Sequence, residues 1–188
     1  RKNLEGLIES YYTTFDPTEP VSLIIKTNRN IDKIIEGVQN KVKLYPNKVF
    51  YQKIIVVSER INDAQMMGLY KYCDCYINTS MGESWCLPLV NAIGFNKPIV
   101  TTVGGGPSDL IENYPNVIPV NSVYINCHHG NGIEWYQNSR DHWFAPNMLN
   151  LSKGMRAALT MNIEENSNVL DEYSEEKFCG RLQELLND

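Results

Sequence analysis

Residues 81–86, Met-Gly-Glu-Ser-Trp-Cys, place a single carboxylate, Glu83, in a short turn directly ahead of Leu87-Pro88 and an apolar run. A carboxylate at the start of a helix can accept hydrogen bonds from the first backbone N–H groups and act as a cap. It can also reach into a crevice and accept hydrogen bonds from ligand hydroxyls. The N–H groups of the turn and the positive end of the helix dipole favour a phosphate at the same place. A hydroxyl acceptor beside a phosphate site suits a sugar nucleotide.

A second candidate is the glycine-rich stretch at residues 101–109, Thr-Thr-Val-Gly-Gly-Gly-Pro-Ser-Asp, which follows a predicted strand and leads into a helix. Such a loop can bring backbone N–H groups toward an anion. A tight turn that needs glycine dihedrals explains the same residues without a ligand. The stretch is not a dinucleotide fingerprint, because Asp109 stands where a third glycine is required, and the chain has no Gly-Lys-Ser/Thr phosphate loop. Hydride-transfer and P-loop enzymes are therefore disfavoured.

Metal and general-base chemistry have weaker candidates. Cys73 and Cys75 are separated by one residue, whereas zinc sites commonly use two to four, so the sequence predicts no metal site. His128, His129 and His142 fall in a stretch without clear periodicity and are predicted to be surface side chains. The cysteines are odd in number and scattered, which indicates reduced thiols and a cytoplasmic protein.

Helical and strand patterns alternate through most of the chain, and this alternation has to position both turns. Predicted strands lie at residues 21–26, 53–58, 73–80, 99–103 and 117–120, with helices before and between them. The pattern predicts right-handed crossovers and a doubly wound parallel sheet of the Rossmann-like α/β class. Ligands bind at the carboxyl ends of strands in such sheets. Both candidate turns are predicted to lie there.

The last third of the chain has a weaker pattern. Residues 123–146 predict a long irregular insert, in which Trp135 and Trp143 either stack on sugars or pack the insert onto the sheet. Helices at residues 147–161 and 173–186 are predicted to close a single domain that spans residues 1–188. Their predicted inward side chains are Leu149, Leu151, Met155 and Leu159 in the first, and Phe178, Leu182 and Leu185 in the second.

Composition excludes several classes of protein. A hydrophobic content of 43% with 21% charged residues is typical of a packed globular domain. No run of about 18 apolar residues is present, so the sequence predicts no transmembrane segment. A net charge of −5 disfavours binding to nucleic acid or anionic lipid. These values do not exclude a local basic pocket that binds a small anion.

The segment from residue 69 to residue 111 resembles the donor-binding region of GT-B glycosyltransferases of family 4, the group 1 retaining transferases. That family has Leu-Tyr, an Asp ahead of a strand, Ser-x-x-Glu-Gly-Phe-Gly-Leu-Pro, Glu-Ala, a Pro-Val strand and Gly-Gly-x-x-Glu. The residues that match in order are Leu69, Tyr70, Asp74, Ser80, Glu83, Leu87, Pro88, Ala92, Pro98, Gly105 and Gly106. The opening Arg1-Lys2 also resembles the family's Arg-Lys-Gly segment. Over about residues 1–156 the resemblance implies the C-terminal half of a GT-B fold.

The resemblance also implies roles for the matching positions. Lys2 and Glu83 would be the catalytic residues, Lys2 on the donor diphosphate and Glu83 on hydroxyls of the transferred sugar. Asn91 stands where the family has a ribose-binding Glu, so it would lose a charge-assisted hydrogen bond. Trp85 and Cys86 stand in place of the family's small Gly-Phe-Gly type turn, so the sugar pocket would be narrower or differently shaped. The full set of predicted donor-binding residues is Gly82, Ser84, Trp85, Cys86, Asn91, Gly105, Arg60 and Ile61. Of these, Arg60 and Ile61 would contact the nucleotide base.

The implied activity is transfer of a sugar, with retention, from a UDP-, GDP- or ADP-sugar, without a metal ion or further cofactor. The acceptor, a glycan, lipid or protein, would be bound by an N-terminal domain that this chain lacks, which could also attach the protein peripherally to a membrane. The chain alone would therefore bind donor weakly and turn over little. A noncatalytic scaffold with a degenerate site is the competing hypothesis, for which Asn91 is the main argument. A GT-B phosphorylase or epimerase would share the cleft.

Overall fold

Helices and strands alternate along the protein in the computed structural model, which describes residues 1–43, 51–127, 142–165 and 169–187. The elements up to the last parallel strand are α1 (Leu4–Thr14), β1 (Leu23–Lys26), α2 (Asp32–Val42), β2 (Ile54–Val57), α3 (Asp63–Tyr72), β3 (Tyr76–Asn78), α4 (Leu87–Gly94), β4 (Ile99–Thr102), α5 (Pro107–Ile111) and β5 (Val117–Val120). This order is the one that the hydrophobic periodicity predicts, with strand ends that differ by a few residues.

The strands form parallel pairs. β1 pairs with β2 in one block, and β3, β4 and β5 form a second block with β4 in the middle. Both blocks pack against the same hydrophobic core, to which β1 contributes Leu23 and Ile25 and the second block contributes Val100 and Val120. Parallel strands joined by helices confirm the predicted α/β class of Rossmann-like fold.

Strand β4 shows that helices cover both faces of the second block. All four of its residues are buried. Val100 belongs to the core that contains residues of α1 together with Leu151 and Met155, whereas its neighbour Ile99 belongs to a separate core with residues of α4 and α5. Successive side chains of a strand point to opposite faces, so the sheet is covered on both sides. The doubly wound arrangement is confirmed.

The prediction of an irregular insert at residues 123–146 is wrong at both ends of the segment, where strands are found. Strand β6 (Ser122–Asn126) pairs antiparallel with β7 (His142–Pro146), and residues 128–141 between them lie outside the described part, with His128, His129 and Trp135. β-branched and aromatic residues favour strands, and Tyr124 packs on Phe144 across the pair with ring centroids 5.0 Å apart. Apolar and polar residues alternate only weakly in these segments, so the sequence pattern did not identify them as strands. His142 is exposed, as predicted.

Helix α6 (Met148–Ala158) begins at Asn147, whose side-chain oxygen accepts a hydrogen bond from the Asn150 N–H at 3.0 Å. Its Leu151 and Met155 are buried against α1 and the second block, as predicted. Leu149 and Leu159 are exposed, so their predicted inward orientation is wrong. Leu149 lies two residues from Leu151 and therefore on another face of the helix, and Leu159 follows the last helical residue.

The two leucines of α6 provide a matched test of which face is buried. Leu151→Ala is expected to lower the free energy of unfolding by about 2–5 kcal/mol, because it opens a cavity in the core. Leu149→Ala removes the same atoms from a residue that is 63% exposed, and is expected to change stability by less than about 0.5 kcal/mol. Chemical denaturation of both variants measures the difference. Equal effects would contradict the burial described here.

The last elements are a 3-10 helix (Val169–Tyr173) and α7 (Glu175–Asn187). Val169 and Leu170 pack against the core that contains α4 and α5. On α7, Phe178 and Leu182 are exposed, so their predicted inward orientation is wrong; the side chain of Leu185 lies outside the described part. Amphipathic spacing identifies an apolar stripe on a helix but not the surface that covers it. Across the described ranges, no helix has the length and apolarity to cross a bilayer.

Candidate functional site

Glu83 lies in the turn between β3 and α4, which we call the Glu83 turn (residues 81–86). The end of β3 is held by polar contacts with β4: the Asn78 side-chain amide donates to the Thr101 hydroxyl at 3.0 Å, and the Thr102 hydroxyl donates to the Asn78 carbonyl at 3.3 Å. These groups are buried, so each needs a partner in the protein. The interlocked strand ends give the Glu83 turn a rigid base at the carboxyl edge of the sheet.

Two cations from the start of the chain contact the Glu83 carboxylate. The Lys2 ammonium donates to Oε1 of Glu83, and the Arg1 guanidinium lies 3.3 Å from Oε2. The Glu83 side chain is 9% exposed, whereas the side chains of Arg1 and Lys2 are 49% and 58% exposed. Two positive charges and one negative charge leave a net charge of +1 on the group. The cations face solvent, so an incoming anion meets them before the carboxylate.

The pKa of Glu83 lies below its ordinary value. Burial alone would raise this pKa, but hydrogen bonds from Lys2 and Ser80 and the positive charges of Lys2 and Arg1 outweigh the effect of burial. The carboxylate is therefore ionised throughout the neutral range. Burial also raises the pKa of the nearby Cys86 thiol, which interacts with the hydroxyl of Tyr76 and stays protonated.

Backbone contacts hold Arg1 and Lys2 beside the Glu83 turn. The Met81 N–H donates to the Arg1 carbonyl at 2.8 Å, and the Thr79 hydroxyl donates to the Lys2 carbonyl at 3.1 Å. The Arg1 guanidinium also donates to the Gly82 carbonyl at 2.9 Å. Residues about 80 positions apart in the chain thus form one site. The two predicted catalytic residues, Lys2 and Glu83, are in direct contact through their side chains.

The glycine turn (residues 104–106) packs directly on the Glu83 turn. The Gly106 N–H donates to the Glu83 carbonyl at 3.3 Å. A Cβ atom added to Gly106 would stand 1.3 Å from the Ser84 carbonyl oxygen, and one added to Gly105 would stand 3.0 Å from the Glu83 carbonyl. Gly105 also has a φ of 67°, which favours glycine. Glycine is therefore needed here for close approach of two backbones as well as for the turn.

Cys86 forms the N-cap of α4 and has a φ of 57°, in the left-handed region. The resembled family has glycine at this position, and the dihedral angle gives a physical reason for that glycine. Its carbonyl accepts the Leu89 N–H at 2.8 Å, and its side chain is buried. Ser84 and Trp85 are exposed beside it. These three predicted N–H donors thus lie at the start of α4, where the helix dipole favours an anion.

The Trp85 indole packs on the C-terminal part of the chain. It meets the Tyr173 ring edge-on, with centroids 4.8 Å apart and an interplanar angle of 77°. The Tyr173 hydroxyl donates to the Asp109 carbonyl at 3.3 Å, which ties the 3-10 helix to α5. A mostly apolar cavity of about 760 Å³ opens between Trp85 and the first turns of α7. The sequence does not predict this cavity, because nothing in the local pattern relates Trp85 to α7.

The remaining predicted donor-binding residues lie farther along the same fold. The Asn91 side chain, on α4, interacts with the Tyr70 hydroxyl, whose pKa is raised by burial despite that interaction. Exposed Arg60 and half-buried Ile61 follow the end of β2, just ahead of a capping box in which the Asn62 side chain accepts the Gln65 N–H at 2.9 Å. Asn91 thus lies on the helix that follows the Glu83 turn, and Arg60 and Ile61 follow the carboxyl end of β2. Their roles toward a nucleotide stay predictions.

The β6–β7 hairpin contributes two aromatic residues: Trp143, which was predicted either to stack on sugars or to pack on the sheet, and Phe144, which was not predicted at the site. The Trp143 ring lies 3.6 Å from the position of a Cβ atom on Gly82, and the Phe144 ring lies 2.2 Å from the position of one on Gly104. The hairpin therefore packs on both turns. The group of aromatic residues near position 143 was a signal for this contact in the sequence. Which of them face the two turns depends on the register of the β6–β7 pairing. Within the described ranges, no three His, Cys, Asp or Glu side chains are grouped to hold a metal ion, and no two cysteines are joined by a disulfide.

Comparison with known proteins gives two findings. A family described as Glycosyl transferases group 1 matches residues 1–123, which include both turns and every predicted site residue. Sucrose synthase 4 of Oryza sativa subsp. japonica is 26% identical over 125 residues, which cover 60% of this chain and 15% of that protein. The chain therefore corresponds to a small part of this relative's length.

Proposed function

Because the chain belongs to the group 1 glycosyl transferases, we propose that it binds the donor, a nucleotide diphosphate sugar, in a retaining transferase of family 4. The observation that carries the proposal is the contact of Lys2 and Arg1 with the Glu83 carboxylate at the carboxyl edge of the sheet. The two cations face solvent and outnumber the carboxylate. A diphosphate can take the surplus positive charge without leaving a buried charge unpaired.

The proposed chemistry is departure of the diphosphate from the anomeric carbon of the sugar. Lys2 and Arg1 would stabilise the charge that develops on the leaving phosphate oxygen, together with N–H groups of Ser84 and Trp85 at the start of α4. These donors are already in position, so little reorganisation is needed during the reaction. The positive charge of the two side chains would serve without a metal ion. Glu83 would keep the cations oriented and accept hydrogen bonds from sugar hydroxyls.

The nucleotide would lie along the same edge. Arg60 and Ile61, after β2, would contact the base, and Asn91 would contact the ribose through its amide. The Trp85 indole, which lines the cavity, would border the side of the Glu83 turn where the sugar binds. The donor would be a UDP-, GDP- or ADP-sugar. A C-terminal GT-B placement, which is part of this proposal, would imply a separate domain that binds the acceptor and closes over the donor. We expect this protein to act in the cytoplasm, with the acceptor brought by that domain.

Calorimetric titration of the protein with UDP, GDP and ADP tests the proposal. One of the three is expected to bind with measurable heat at millimolar ligand, and binding should weaken as salt is raised because exposed cations carry it. Lys41→Ala should not change the affinity, since Lys41 forms an ion pair with Glu9 away from the site. Absence of heat and of chemical-shift change with all three nucleotides would contradict the proposed function.

A noncatalytic scaffold is the second candidate, and a specific contact favours it. The Asn91 amide is engaged with the Tyr70 hydroxyl, so a ribose would have to compete with a partner inside the fold. Under this hypothesis the protein binds none of the three diphosphates. Asn91→Glu separates the two, because it restores a carboxylate that can accept from a ribose diol. Stronger nucleotide binding by this variant supports a donor site, and unchanged absence of binding supports the scaffold.

A further inference from the structure

Phe144 of β7 contacts both turns of the site without contacting its charged groups. Its backbone N–H donates to the Met81 carbonyl at 2.7 Å, and the Met81 N–H in turn donates to the Arg1 carbonyl at 2.8 Å. Met81 therefore bridges β7 on one side and the start of the chain on the other. A displacement of β7 would be transmitted through one residue to the backbone that carries Arg1 and Lys2.

The Phe144 ring determines where β7 can lie. It covers Gly104 so closely that a Cβ atom there would come within 2.2 Å of two ring carbons. Gly104 has a φ of 137°, and its N–H donates to the Ser108 hydroxyl at 3.0 Å. The ring therefore packs on a glycine whose backbone is itself held in place. Removal of the ring would leave β7 attached to the Glu83 turn by its hydrogen bond and by Trp143 against Gly82.

We infer that Phe144 is a positioning residue of the donor site: its ring locks β7 on the glycine turn, and β7 holds Arg1 and Lys2 against Glu83 through Met81. The effect of Phe144 on donor binding and on rate rests on the proposed function, whereas its effect on the position of Arg1 and Lys2 does not. Displacement of reacting groups by about 1 Å can cost on the order of 100-fold in rate, so a residue that touches no substrate can still set the activity of such a site.

The test combines Phe144→Ala with a control in the same hairpin. Val123→Ala truncates an exposed residue that pairs with Ala145. An NMR pH titration of the Glu83 carboxyl reports on the contact with Lys2 and Arg1 and needs no ligand. Phe144→Ala is expected to raise the pKa of Glu83 toward its ordinary value and to weaken binding of UDP, GDP or ADP about tenfold. Val123→Ala should leave both quantities at their wild-type values.

An unchanged Glu83 pKa in folded Phe144→Ala would overturn the inference. Phe144→Leu keeps much of the packing volume, and it should restore both quantities in part; if Phe144→Ala fails to fold, Phe144→Leu is titrated in its place and an unchanged pKa overturns the inference in the same way. If the wild-type protein binds none of the three diphosphates, the proposed function fails, whereas the titration of Glu83 still decides the role of Phe144.

Discussion

Lys2→Ala is expected to lower the rate of sugar release from the donor by a factor of about 100 or more in the intact protein, because loss of one preorganised donor at a developing charge costs about 3 kcal/mol. Lys2 contacts the Glu83 carboxylate, and its ammonium faces solvent at the carboxyl edge of the sheet. Radiolabelled UDP-, GDP- and ADP-sugars with product analysis measure the rate. Lys41→Ala is the matched control, since its side chain is 60% exposed, close to the 58% of Lys2, and also pairs with a glutamate. Equal rates in the two variants would remove Lys2 from the site.

The same variant has a signature in stability. Because the pKa of Glu83 is lowered in the folded protein, its ion pairs stabilise the fold at pH values above the ordinary glutamate pKa. This contribution is lost as the pH falls through the lower, folded-state pKa. Lys2→Ala removes the largest attraction, so its unfolding free energy should depend less on pH across this acidic window than that of the wild type. Chemical denaturation at a series of pH values measures the dependence.

Gly106→Ala is expected to lower the unfolding free energy by about 3 kcal/mol or more and to abolish diphosphate binding. Gly106 has a φ of −54°, which every residue adopts easily, so the effect is purely steric. The added methyl group would overlap the Ser84 carbonyl oxygen, a backbone atom, and a Cβ atom bonded directly to the backbone cannot rotate away from it. The glycine turn and the Glu83 turn would have to separate. Thermal denaturation and calorimetry with UDP, GDP and ADP measure the two effects.

Gly37 supplies the control for Gly106. It lies on α2, where an added Cβ atom would meet no other atom within 4 Å. Gly37→Ala should raise stability by up to about 1 kcal/mol, because alanine is the better helix former. Opposite signs for the two substitutions are thus expected. A Gly106→Ala variant as stable as the wild type would show that the two turns do not touch.

The residue pattern was sufficient for the order of elements from α1 to β5 and for the location of both turns. Hydrophobic periodicity is a local property, so the buried run at β4 and the stripe of α1 could be identified from their neighbours in sequence. The Asn62 cap of α3 is likewise a local feature, because it depends on residues within one turn. Glu83 stood out because a strand, a polar turn and Pro88 follow one another along the chain.

Resemblance to a family, rather than periodicity, brought Lys2 into the site. No local pattern connects residue 2 with residue 83, and their contact arises when the Met81 N–H meets the Arg1 carbonyl. The same limit applies to Asn91, whose partner Tyr70 lies on another helix. Contacts of this kind depend on how two distant segments are packed.

Sequence alone determined which segments up to β5 are helix or strand and which turns lie at the ligand edge of the sheet, because propensity and burial periodicity act between near neighbours. Tertiary structure decided that Leu149 faces solvent, that β6 pairs with β7, that Gly106 presses on Ser84 and that Phe144 covers Gly104. Each of these depends on a surface supplied by a remote part of the chain. A pattern predicts that a face is apolar or a turn is tight, but the atoms that meet it are set by packing of the whole domain.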